Sequence, residues 1–133
     1  MNVFFDIDYT ILGIDGSLRP GTVQVFEQLS QDDHEVYVWS GVGARPEMVR
    51  AAGLEPFVAG VYQKPLADFD AGLGRFGVRV MPNFVVDDHP GIVHHFGGIC
   101  VPPYTSRQQH DEVLYSIRAL VAVHVPKRAR PAG

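Results

Sequence analysis

Asn2-Val3-Phe4-Phe5-Asp6-Ile7-Asp8-Tyr9-Thr10 begins with an apolar run and passes directly into two carboxylates. The run reads as a first strand, and the polar, Gly-containing stretch from Tyr9 to Arg19 reads as the loop that leaves it. Pro20 then opens a helix-like segment with Val23, Phe26 and Leu29 at three-residue spacing; a proline fits near a helix start because its missing N–H would be unpaired there. Val36-Tyr37-Val38-Trp39 reads as a buried strand, Arg45 to Ala52 as a short helix closed by Gly53, and Phe57 to Tyr62 as a third strand. Leu66 to Phe76 follows as a helix weakened by Gly72 and Gly74, Phe84-Val85-Val86 as a fourth strand, and Gly98 to Val101 as a short fifth. Ser106 with Gln109 resembles a capping box, and Val113, Leu114, Ile117, Leu120 and Val121 mark the apolar face of a terminal helix. Strands alternating with helices predict an α/β domain with a mostly parallel sheet and helices on both faces.

The length of 133 residues fits one domain, expected over 1–125, with a flexible basic tail over 126–133. A composition of 46% hydrophobic and 20% charged residues excludes wholesale disorder. No apolar run approaches the ~20 residues that span a bilayer, and no basic lead with a hydrophobic signal core precedes the first strand, so a cytoplasmic location is expected. Formal net charge is −4, and setting aside Lys127, Arg128 and Arg130 in the tail leaves −7, which argues against a nucleic-acid-binding surface. The single cysteine, Cys100, sits in the apolar stretch Gly98-Ile99-Cys100-Val101, which predicts burial over reactivity.

In an open parallel sheet ligands bind outside the carboxyl ends of the strands, so the residues just after each apolar run carry the functional reading. These are Asp6 and Asp8 after the first strand, Ser40 and Gly41 after the second, Lys64 after the third, and Asp87 with Asp88 after the fourth. Each alone is a common turn residue. Together, four acids at one sheet edge repel one another unless a cation sits among them. Lys64 supplies one charge, and Mg²⁺, which favours carboxylate oxygens and keeps room for a substrate phosphate, matches the remaining excess. Ser40 and the backbone N–H groups of the Gly-containing turn after it suit phosphate oxygens, and phosphoryl transfer needs mainly positioning and charge neutralisation.

Asp6-x-Asp8-x-Thr10, Ser40 after Val-Tyr-Val-Trp, Lys64-Pro65, and Val85-Val86-Asp87-Asp88 resemble, in order, the four motifs of the haloacid dehalogenase superfamily. The resemblance covers residues 3 to 88 and implies a Rossmann-like three-layer α/β/α sandwich. It also implies that Asp6 is a nucleophile forming an aspartyl-phosphate and that Asp8 is general acid toward the leaving oxygen, then general base on water. Thr10 would hold Asp8 in place within the phosphate-binding set, and Ser40, Gly41 and Lys64 would bind phosphate oxygens. Asp6, the carbonyl of Asp8, Asp87 and Asp88 would hold Mg²⁺, either of the last two directly or through water. A second aspartate fits the phosphatase and phosphomutase pattern and not the dehalogenases; Tyr9 stands where glycine is frequent.

Only 29 residues separate Thr10 from Ser40 and 23 separate Ser40 from Lys64, and both stretches are filled by the elements above, so no cap domain fits. An open site needs cover from another subunit or a bulky substrate, because such chemistry excludes water. The expectations are therefore a phosphorylated small molecule or phosphoprotein as substrate, with a homo-oligomer as one way to close the site. Arg45 either reaches a second anionic group or faces solvent. His89, His94 and His95 lack zinc spacing, with His94 and His95 pointing apart if on a strand, and Trp39 belongs to the core. The leading function is a phosphomonoester hydrolase; the alternatives are a phosphotransferase on the same site and a catalytically silent phosphate- or Mg²⁺-binding module.

Overall fold

The computed structural model describes residues 1–108 and 110–127. Five strands, β1 (Asn2–Asp6), β2 (Glu35–Ser40), β3 (Val58–Gln63), β4 (Phe84–Asp87) and β5 (Gly98–Cys100), form one parallel sheet in the order β3-β2-β1-β4-β5. Five helices accompany them: α1 (Thr22–Gln31), α2 (Pro46–Ala51), α3 (Phe69–Arg75), α4 (Pro90–Phe96) and α5 (Ile117–Val123). The architecture is a Rossmann-like three-layer sandwich.

Side chains on a strand alternate between faces, and here both faces are apolar. Val3, Phe5, Val36, Val38, Phe84 and Val86 point to the layer built from α1, α2 and α5, where Val25, Phe26, Leu29, Val49, Ile117 and Val121 meet them. Phe4, Tyr37, Trp39 and Val85 point the other way, onto Leu73 of α3 and Ile92, Val93 and Phe96 of α4. Burying each such side chain contributes roughly 1.5–3 kcal/mol against chain entropy. Trp39 is a core residue, as expected, although its indole N–H has no hydrogen-bond partner among the described residues.

Two glycines permit close approaches of neighbouring segments. A Cβ on Gly72 would lie 2.3 Å from the Cβ of Pro65, so the glycine that weakens α3 by propensity lets that helix close on the Lys64-Pro65 segment. Gly98, at φ 145°, brings β5 so near β4 that a Cβ would sit 2.0 Å from the Val85 carbonyl oxygen.

Four expectations are corrected. The Asp87-Asp88-His89-Pro90-Gly91 stretch, turn-like by composition, runs directly into α4 with Pro90 in its first turn, and His94 and His95 lie on that helix and not on a strand. Ser106 does not cap the terminal helix, which begins as a 3₁₀ turn over Val113–Ser116 before α5; Gln109 lies outside the described residues. Cys100 is exposed, because the one-sided edge strand β5 leaves its outer face uncovered. The helix placed over Leu66 to Phe76 starts only at Phe69, after Asp68 in a left-handed conformation. Of the expected basic tail, residues 128–133 lie outside the described residues, while Lys127 donates to the His94 carbonyl. No described helix is long and apolar enough to cross a membrane.

Candidate active site

Strand order reverses at β1: the chain runs outward through β2 and β3, then returns to place β4 on the other side. Such a switch point leaves a crevice at the carboxyl ends of the strands. The register pairs Phe5 with Val86, so the next residues along, Asp6 and Asp87, emerge side by side. Ser40 pairs with Gln63, which brings Lys64 to the same edge one residue later.

The Lys64 Nζ donates to Asp6 at 2.9 Å and to Asp87 at 3.0 Å, and all three side chains are buried. Asp87 takes a further hydrogen bond from the His89 backbone N–H at 2.9 Å. Asp6, Asp87 and Asp88 each offer an oxygen within 4.8 Å of the others, a hard-donor set suited to a divalent cation. One lysine against three carboxylates leaves the cluster short of positive charge. Burial, and next the Asp87 charge, push the Asp6 carboxyl from 3.8 up to about 8 against the opposing pull of Lys64. Burial also raises Asp87. Burial pulls Lys64 down, but its two carboxylate partners outweigh that and hold it above its ordinary value.

The remaining sequence candidates surround this cluster. Ser40 is buried, and its Oγ accepts the Val42 N–H at 3.3 Å, which leaves its own O–H proton for a ligand. Gly41 keeps room for Leu66, whose Cδ2 would lie 2.8 Å from an added Cβ. Asp8, half-exposed, lines a pocket of ≈ 200 Å³ together with Asp6, Tyr9, Gly41, Val42, Lys64, Leu66 and His89.

Thr10 departs from expectation. Its Oγ1 donates to Asp6 at 3.1 Å, with a long 3.5 Å contact to Asp88, so it steadies the first aspartate and not Asp8. Its side chain is fully buried. Asp8 is held instead by Arg45, whose Nη1 lies 2.8 and 2.9 Å from its two carboxylate oxygens. Arg45 thus pairs with Asp8 while its side chain stays partly exposed.

Tyr9 has φ 66°, a left-handed conformation that costs a non-glycine residue about 1 kcal/mol. Backbone hydrogen bonds from the Tyr9 N–H to Leu12 at 2.9 Å and from the Tyr104 N–H to the Tyr9 carbonyl at 2.7 Å hold it there.

One residue that sequence reasoning passed over matters to this geometry. Arg19 is buried, with Nε 3.0 and 3.1 Å from the Asp111 oxygens and Nη1 donating to the carbonyls of Thr10 at 3.2 Å and Pro102 at 2.9 Å. It therefore fixes the backbone of the residue whose hydroxyl steadies Asp6. In sequence it is one arginine before Pro20, with no local signal of burial. No family model, curated protein or solved structure matches the chain.

Proposed function

We propose that the chain is a Mg²⁺-dependent phosphomonoester hydrolase that works through an aspartyl-phosphate on Asp6, with the motif order of the haloacid dehalogenase superfamily. The observation that carries this reading is the meeting of Asp6, Asp87 and Asp88 within 4.8 Å, with Lys64 between two of them, at the switch point of a parallel sheet. One lysine does not compensate the carboxylates gathered here, and such perturbed groups cluster at functional sites.

The donor set fits Mg²⁺, which Asp6, Asp87, Asp88 and the Asp8 carbonyl would hold. When bound, it supplies the positive charge that lets the carboxylates ionise together and neutralises phosphoryl oxygens. An Asp6 oxygen attacks phosphorus, the ester P–O bond breaks, and Asp8 gives its proton to the departing alkoxide. Asp8, now a carboxylate, takes a proton from water, whose oxygen attacks the same phosphorus and releases inorganic phosphate and Asp6. Arg45 holds Asp8 between these steps and must loosen its grip for the proton to pass. Lys64 orients Asp6 through its hydrogen bond, and Ser40 donates to a phosphoryl oxygen.

The test is hydrolysis of an aryl phosphate with and without Mg²⁺. Turnover should require the metal, fall about 10³-fold or more in Asp6→Asn, and fall strongly in Asp8→Asn. Absence of Mg²⁺-dependent turnover across a broad phosphometabolite panel would leave the reading without support.

A further inference from the structure

We infer that the alcohol released at this site is compact, apolar and ring-bearing, and that it lies in a cleft between the Lys64-Pro65 segment with α3 on one side and the start of α4 on the other. This inference rests on the hydrolase reading. The cleft measures ≈ 430 Å³ and is lined by Pro65, Leu66, Phe69, His89, Gly91 and Ile92, with Lys64 at its inner end. It is continuous with the acidic pocket, because Lys64, Leu66 and His89 line both. A phosphate beside Asp6 would therefore point its ester substituent along a short path into apolar surroundings.

Three features favour a small ring over other occupants. The volume falls within the ~300–1,000 Å³ typical of small-molecule pockets. Lys64 and His89 are the only polar side chains among those lining the cleft, the rest being proline, leucine, phenylalanine, isoleucine and glycine. A sugar or nucleoside would therefore bury most of its hydroxyls without side-chain partners, at a cost of roughly 1–3 kcal/mol each, whereas an apolar ring gains from burial. The mouth is apolar too: Tyr9, Val42 and Leu66, three of the large hydrophobic side chains left exposed, stand around the acidic pocket.

The walls are already formed. Phe69 packs on His95 and Phe96 at centroid distances of 5.3 and 6.2 Å, Ile92 is buried, and Gly72 locks Pro65 against α3. A pre-formed wall spares the ordering cost that a loop would incur on binding.

Gly91 provides the test. An added Cβ meets only the Phe69 Cζ, at 3.9 Å, so a side chain can start from this cleft-lining position without a backbone clash at Cβ, and leucine replaces a poor helix former in α4. Benzyl phosphate and methyl phosphate release alcohols of nearly equal acidity, which removes leaving-group chemistry from the comparison. In the wild type, kcat/KM with Mg²⁺ should favour benzyl phosphate at least tenfold, and Gly91→Leu should bring the ratio near one. Leu66→Ser, at a position 70% exposed, should reduce the ratio several-fold. Near-parity in the wild type, or a preference that both variants leave intact, would overturn the inference. If neither ester is turned over, the phosphometabolite panel decides the hydrolase reading, and the cleft is read by calorimetry with the corresponding phosphonates and Mg²⁺. Tenfold tighter binding of benzylphosphonate than methylphosphonate, lost in Gly91→Leu, supports the cleft; equal or absent binding overturns it.

Discussion

Two buried cations anchor this molecule, and they sit in opposite kinds of surroundings. Arg19 meets one carboxylate, Asp111, and spends its remaining donors on the Thr10 and Pro102 carbonyls while lying 5.5 Å from the Tyr104 ring centroid. Lys64 meets Asp6 and Asp87, with Asp88 close by. The first knot is balanced and satisfied; the second carries more negative charge than its lysine offsets. The difference separates structure from chemistry. A balanced buried pair repays its desolvation through hydrogen bonds, whereas one with excess negative charge stores free energy that a bound cation can release. Thr10 links the two, its carbonyl on Arg19 and its hydroxyl on Asp6.

The largest expected effect breaks the comparison on the Lys64 side. Asp6→Asn should lower turnover about 10³-fold or more while the metal-free melting temperature holds or rises, because a poorly compensated buried carboxylate has been removed. A clear fall in melting temperature would mean that Asp6 is structural after all. On the Arg19 side the outcome should invert. Arg19→Met leaves Asp111 buried without its charge partner, keeping the Val113 N–H at 3.2 Å. It should cost about 3–5 kcal/mol in urea unfolding, with Arg19→Met/Asp111→Leu recovering most of the loss. Recovery that fails in the double variant would show that the carbonyl contacts carry the knot.

Mg²⁺ should sharpen the contrast by about 2–3 kcal/mol at a hundredfold excess over its dissociation constant. Thermal shift should detect this in the wild type and in Arg45→Met, and lose it in Asp87→Asn. The pH dependence has a definite sign. Between 3.8 and about 8 the folded chain keeps a proton on Asp6 that the unfolded chain has already released. Metal-free stability should therefore fall as pH rises across that window and show no further loss from Asp6 above it. Raised Asp87 adds to the fall. Chemical denaturation at pH 5 and pH 8 reads this out, and Mg²⁺ should stabilise more at the higher pH because its ligands must be deprotonated. The smallest effect is Tyr9→Gly, which should relieve the φ 66° conformation and stabilise by about 1 kcal/mol, less the added entropy of a glycine in the unfolded chain.

The sheet was legible because its strands are apolar on both faces and bounded by turns. The same runs marked the candidate site, since β1 to β4 each end at or just before a polar residue that the crevice gathers. What stayed hidden depends on distance along the chain. Arg19 and Asp111 are 92 residues apart, and neither carries a local sign of its partner. Arg45 finds Asp8 across 37 residues, through a loop whose path no periodicity describes. Helix α4 was masked by its first turn: Asp88-His89-Pro90-Gly91 has turn composition, and only the tertiary contacts of Ile92, Val93 and Phe96 make it a helix. Cys100 looked buried because apolar neighbours imply burial, and β5 is an edge strand, where that inference fails.

The most direct measurement is acid quench of the Mg²⁺-loaded protein during turnover of an ester carrying a radiolabelled phosphoryl group, followed by peptide mapping. The label should remain covalently on the peptide containing Asp6, be released by hydroxylamine as an acyl phosphate is, and be absent from Asp6→Asn. Mg²⁺-dependent turnover with no retained label, or with label undiminished in Asp6→Asn, would contradict the account.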